Sequence, residues 1–134
     1  MSANLWIDEQ IEGGVIGAML LRGPDNEVME LIATLPESVF NFVQYREIFR
    51  AIAVEVRGKG VIDPIIIAER LPEHSSVIWQ ACHETWAKSA LKSYSQQLIR
   101  NAAIRDAHNA LSEALERLKS AKNSEVGISI LEEV

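Results

Sequence analysis

The chain has 134 residues, of which 48% are hydrophobic and 24% charged, and carries a formal net charge of −6 at pH 7. That length and apolar share fit one soluble domain with a modest core. The acidic balance argues against a broad phosphate-binding surface, because nonspecific nucleic-acid affinity rests mainly on Lys and Arg, so little direct DNA binding is expected.

From Asp8 to Leu21, the residues Ile11, Val15, Ile16, Met19 and Leu20 recur at helical spacing. Asp8, Glu9 and Glu12 stand near the expected start, where the helix dipole favours anions. Gly13, Gly14 and Gly17 cost about 1 kcal/mol each against Ala in a helix, so close approach of a neighbouring helix is the expected compensation, with Gly13 and Gly17 on one face. Gly23-Pro24-Asp25-Asn26 reads as a turn into a short helix through Val28, Leu31 and Ile32, which Pro36 interrupts.

Val43 to Arg57 places Ile48, Phe49, Ile52, Ala53 and Val56 on one stripe and ends at Gly58 and Gly60, which reads as the central core helix. Asp63 followed by Pro64 is an N-cap with proline at the first helical position, opening a short helix to Leu71. Val61-Ile62 and Ile65-Ile66-Ile67 have strand-like composition, but no second strand candidate could pair with them, and loop plus helix is the reading. Pro72-Glu73-His74-Ser75-Ser76 breaks the chain, and Val77 to Thr85 forms a further short helix bearing Trp79.

Ser89 to Lys122 contains neither Pro nor Gly and would span roughly 50 Å if wholly helical. Ile104, Ala107, Leu111, Ala114, Leu118 and Ala121 are spaced three or four apart, a seam suited to a partner helix within the chain or in another subunit. Asn123-Ser124 reads as a turn, after which Val126, Ile130 and Val134 begin a second arm. Glu113, Glu116, Arg117 and Lys119 make a solvated flank on the long helix.

The search for chemistry is largely negative, and no catalytic residue is assigned. Cys82 has no internal disulfide partner, and no charged-then-apolar signal segment opens the sequence, which fits a reducing cytoplasm. Val15 to Leu21 is far shorter than the roughly 20 residues a membrane helix requires. At the only Gly-Lys step, Gly58-Lys59-Gly60, Ala53 stands where a phosphate loop needs its first glycine and Gly60 where it needs Ser or Thr. Gly13-Gly14-x-x-Gly17 lies within a helix and not between a strand and a helix, so a dinucleotide site is not expected. His74, His83 and His108 have no metal-ligand spacing with Cys82 or with one another, and no metal or cofactor is expected in this chain. Trp79 and Trp86 could stack on bases, but without a basic groove they read as packing residues.

Four landmarks run in order along the chain: Glu12-Gly13-Gly14-Val15-Ile16-Gly17, then Phe40 with Tyr45-Arg46-Glu47-Ile48-Phe49, then Gly60-Val61-Ile62-Asp63 with Leu71, then Tyr94 with Leu98 and Arg105. Their order and separation resemble the N-terminal domain of the DnaB-type replicative DNA helicases. Glu12, Gly17, Phe40, Arg46, Ile48, Phe49, Asp63, Leu71, Tyr94 and Arg105 fall on that family's landmark positions as structural residues. Three departures mark a divergent relative, of the kind a phage or plasmid encodes. Gly13 stands where the family usually has Gln, Tyr45 stands where it has His, and a Gly-Gly-x-x-Tyr-Leu stretch is missing or shortened between Leu71 and Ser89.

The resemblance implies an all-α fold, with a globular helical subdomain over 1–88 and a long helix that begins a helical hairpin, its second arm cut short, over 89–134. It also implies a fragment of a longer, ATP-dependent helicase whose C-terminal domain would hold ATP and Mg²⁺. The function so implied is that of a non-catalytic collar of a hexamer: homo-oligomer assembly, as a dimer or higher, and docking of primase or a helicase loader. Self-association or partner binding falls on Ile104, Ala107, Leu111, Ala114, Leu118, Val126 and Ile130. A free-standing helical adaptor, such as a primase's helicase-binding module or a phage mimic of the collar, is the alternative.

Overall fold

The computed structural model describes residues 2–84 and 90–122. Among them the regular structure is entirely helical, with no strand. Helix α1 spans Ser2–Arg22 and α2 Asn26–Thr34; a 3₁₀ turn over Glu37–Val39 leads to α3, Val43–Lys59. Helix α4 spans Pro64–Arg70, a second 3₁₀ turn covers Pro72–His74, and α5, Ser75–Glu84, precedes α6, Leu91–Lys122. No described helix is long and apolar enough to cross a membrane.

The local signals account for most of these boundaries. Asp25 caps α2 by accepting from the backbone N–H of Val28 at 2.9 Å, and Asp63 caps α4 by accepting from that of Ile65 at 2.9 Å, with Pro64 at the first helical position. Helix α3 ends at Gly60, which adopts a left-handed φ of 70° and donates to the Val56 carbonyl, so Gly58 lies inside the helix and not beyond its end. Pro72 tightens the chain into a 3₁₀ turn that runs directly into α5 at Ser75, two residues before the expected start. Helix α6 begins at Leu91, with Ala90 still irregular.

Helix α1 departs most from expectation. It starts at Ser2 and carries no acidic residue in its first turn, so Asp8, Glu9 and Glu12 sit within the helix and none serves the dipole there. From Ile11 to Leu20 every residue except Gly13 is buried, which makes α1 the enclosed helix in place of α3. It packs against both α5 and α3. The expected α3 stripe, Ile48, Phe49, Ile52, Ala53 and Val56, is buried as a unit, and Phe40, Ile67, Ile78, Leu91 and Leu98 complete the core.

Two compact units are distinguishable, one ending at Ala102 and the other beginning at Ala103. The expected division lay at 88/89. The step falls inside α6 because Leu91, Ser95, Leu98 and Ala102, spaced four, three and four apart, are all buried and join the first unit.

Candidate functional site

The family landmarks in the first unit build a joint between α1 and the entrance to α3. Phe42 is the N-cap of α3 but offers no capping side chain, and its backbone N–H instead donates to Glu12 Oε1 at 3.1 Å. Glu12 is 2% exposed, so α1 supplies a buried carboxylate at the positive end of α3. Just before it, the Arg46 guanidinium donates from Nε at 3.3 Å and from Nη2 at 3.0 Å to the Phe40 carbonyl, pinning residues 40–42 from the other side. The Phe40 ring lies 5.1 Å from that of Phe49 in a tilted pair, and Phe42 meets Tyr45 edge-on at 6.2 Å.

Two of the three departures, Gly13 and Tyr45, meet in the same joint. A Cβ added at Gly13 would stand 2.9 Å from the Tyr45 hydroxyl oxygen and 3.3 Å from the ring carbon that bears it. Gly13 therefore makes room for Tyr45, and the close approach expected of the α1 glycines is realised there by α3. Among the other landmarks, Gly17, Ile48 and Phe49 are buried, and Leu71 and Tyr94 pack at the edge of the core. Asp63 is the α4 cap.

The expected contact residues fall in the second unit. Ile104 is 62% and Leu111 66% exposed, and Ala107 is exposed as well. Ala114 and Leu118 are half-buried, and Ala121 is buried. Val126 and Ile130 lie outside the described residues. Leu115, one position beyond Ala114 and off that three-and-four seam, is 58% exposed. At about 100° per residue, Ile104, Leu111 and Leu115 fall within roughly 40° of one another, while Ala114, Leu118 and Ala121 turn toward a neighbouring sector. The seam therefore divides into an exposed apolar stripe and a more covered edge. Arg105, the last family landmark, is half-buried, and Glu116 and Lys119 form a solvent-facing pair at 3.6 Å on the charged flank, a contact of small energetic weight.

Charged groups elsewhere are held by local partners. Arg22 bonds Asp25 at 2.7 Å and Glu27 at 3.3 Å, and the Val28 N–H together with Arg22 holds the Asp25 carboxyl below the usual carboxylate range. Arg50 pairs with Glu37 through two hydrogen bonds, which lower the Glu37 pKa. Glu55, 2% exposed on α3, pairs with Arg70 of α4 at 2.6 Å through one carboxylate oxygen. Burial pushes the Cys82 thiol up, away from the reactive thiolate. Trp79 is exposed and Trp86 lies outside the described residues.

One cluster was invisible in the sequence. Glu47 of α3 and the adjacent Glu73 and His74 of the second 3₁₀ turn each bring a ligand-type atom to a common point, all within 4.8 Å of one another. His74 Nε2 stands 2.5 Å from Glu47 Oε2. The histidine spacing along the chain gave no sign of it, because Glu47 lies 27 positions from His74.

A family model described as the DnaB-like helicase N terminal domain matches residues 6–110, from α1 into the second unit. Neither the search of curated proteins nor that of solved structures returns a match.

Proposed function

The chain belongs to the DnaB-like helicase N-terminal domain family, and on that premise we propose that it is the non-catalytic collar of a hexameric replicative helicase, joining subunits and docking primase or a loader. The observation that carries this reading is the exposed stripe of Ile104, Leu111 and Leu115, in a chain whose family match runs to residue 110. Covering the three side chains would contribute about 1.5–3 kcal/mol each before the entropy of association is subtracted. That is the scale of a weak contact, and multivalency in a ring strengthens it. The mixed charges of Glu113, Glu116, Arg117 and Lys119 beside the stripe would set partner choice and on-rate more than affinity.

The role is assembly and not chemistry. Ala53 and Gly60 occupy the positions where a phosphate loop requires glycine and a hydroxyl residue, so ATP and Mg²⁺ would belong to a separate ATPase domain of the parent helicase in the cytoplasm. The test is calorimetry of this chain against the helicase-interaction domain of the primase from the same genome. Saturable binding at tens of micromolar or tighter, about −6 kcal/mol or better, with loss on Leu111→Asp, supports docking through the stripe. Absence of heat and of co-elution at those concentrations rejects primase docking.

A further inference from the structure

We propose that Glu47, Glu73 and His74 form a divalent transition-metal site, with one imidazole and two carboxylates as ligands and water completing the shell. The three donors come from two elements: Glu47 from the first half of α3, and Glu73 and His74 from the 3₁₀ turn between α4 and α5. The turn is held in shape by Pro72 at its start and by the His74 backbone N–H, which donates to the Leu71 carbonyl at 2.9 Å. His74 is mostly covered, its side chain 16% exposed, so its imidazole has a fixed position facing Glu47.

The distances suit a small ion. Zn²⁺ bound at about 2.0–2.2 Å to N and O donors in a tetrahedron sets its ligand atoms roughly 3.3 Å apart. The three donor atoms lie within 4.8 Å of one another, and the 2.5 Å His74–Glu47 contact has only to open slightly to admit an ion between them. Glu47, 36% exposed in its side chain, is free to make that adjustment. Glu73 has no hydrogen bond or ion pair among the described residues, so the cluster holds a carboxylate that the His74–Glu47 pair leaves uncompensated. An imidazole and only three protein donors favour Zn²⁺, Co²⁺ or Ni²⁺ over Mg²⁺ and Ca²⁺, which seek more oxygen ligands. Bound metal would tie the α4–α5 turn to α3. Metal bound here would reverse the expectation from histidine spacing that the chain holds none.

The experiment titrates the metal-free full chain with Zn²⁺ alone by calorimetry and with Co²⁺ by visible absorption. The expected result is one saturable site of about micromolar affinity, weakened at least roughly tenfold by His74→Ala and by Glu73→Gln and unchanged by His83→Ala. Zn²⁺ should also raise the thermal midpoint of the wild type but not of Glu73→Gln. Glu73 is exposed and has no hydrogen bond or ion pair among the described residues, so that variant stays folded and carries the test even if His74→Ala does not. Binding that is indifferent to Glu73→Gln, or no saturable binding below millimolar Zn²⁺, would overturn the proposal and leave an ion pair only.

Discussion

Replacing Gly13 by alanine should have opposite consequences in two backgrounds. A helical Gly→Ala change is worth about 1 kcal/mol in favour of the fold when nothing obstructs the new methyl group. Here the methyl would stand 2.9 Å from the Tyr45 hydroxyl oxygen, and Tyr45 is only 8% exposed, so the ring must shift within a packed interior. Overpacking of this kind costs about 1–3 kcal/mol, and Gly13→Ala should leave the otherwise natural chain destabilised by up to about 2 kcal/mol. In a Tyr45→Phe background the nearest obstructing atom is gone, and the next is the ring carbon at 3.3 Å. The same alanine should then be neutral or stabilising by up to about 1 kcal/mol. Urea denaturation of the four members of the cycle measures the coupling, expected at about 1–2 kcal/mol, independently of the separate effect of Tyr45→Phe. An equal effect of Gly13→Ala in both backgrounds would refute the claim that Gly13 is present to accommodate Tyr45.

The remaining predictions concern the joint and the helix caps. Glu12→Ala should cost about 1–3 kcal/mol in denaturant unfolding, because it leaves the Phe42 N–H at the start of α3 without its carboxylate partner. Asp63→Ala should cost about 0.5–2 kcal/mol through loss of the α4 cap, while Asp63→Asn should retain most of it. The Asp25 carboxyl titrates below its unfolded value, so its contribution is present above the unfolded pKa of about 3.9 and is lost as pH falls through the folded value. Stability measured between pH 5 and pH 2 should accordingly fall less steeply in Asp25→Asn than in the natural chain.

What the sequence disclosed was local. Asp63-Pro64 is a cap because side chain and backbone are two residues apart, and the α3 stripe is readable because the 3.6-residue period places Ile48, Ile52 and Val56 on one face without knowledge of what covers them. Contacts between distant segments were not readable. Glu12 looked like a dipole residue because its partner, the Phe42 N–H, lies 30 positions away, and the Glu47–Glu73–His74 cluster depends on a turn folding back onto α3. The start of α1 at Ser2 has no sequence signal, because the residues before Asp8 lack an apolar period. On α6 a strict three-and-four seam led from Leu111 to Ala114 and Leu118, while the exposed stripe turns to Leu115, a difference of one residue that only the burial of each position reveals.

The central claim, that this family member works by association through α6, is tested most directly by sedimentation velocity of the chain at rising concentration, beside a Leu111→Asp, Leu115→Asp double variant. Both leucines are more than half exposed, so the variant should keep its helical far-UV spectrum. The account predicts reversible dimers or larger species for the natural chain and monomer for the variant. A natural chain that stays monomeric throughout, or a distribution that the two aspartates leave unchanged, would contradict it.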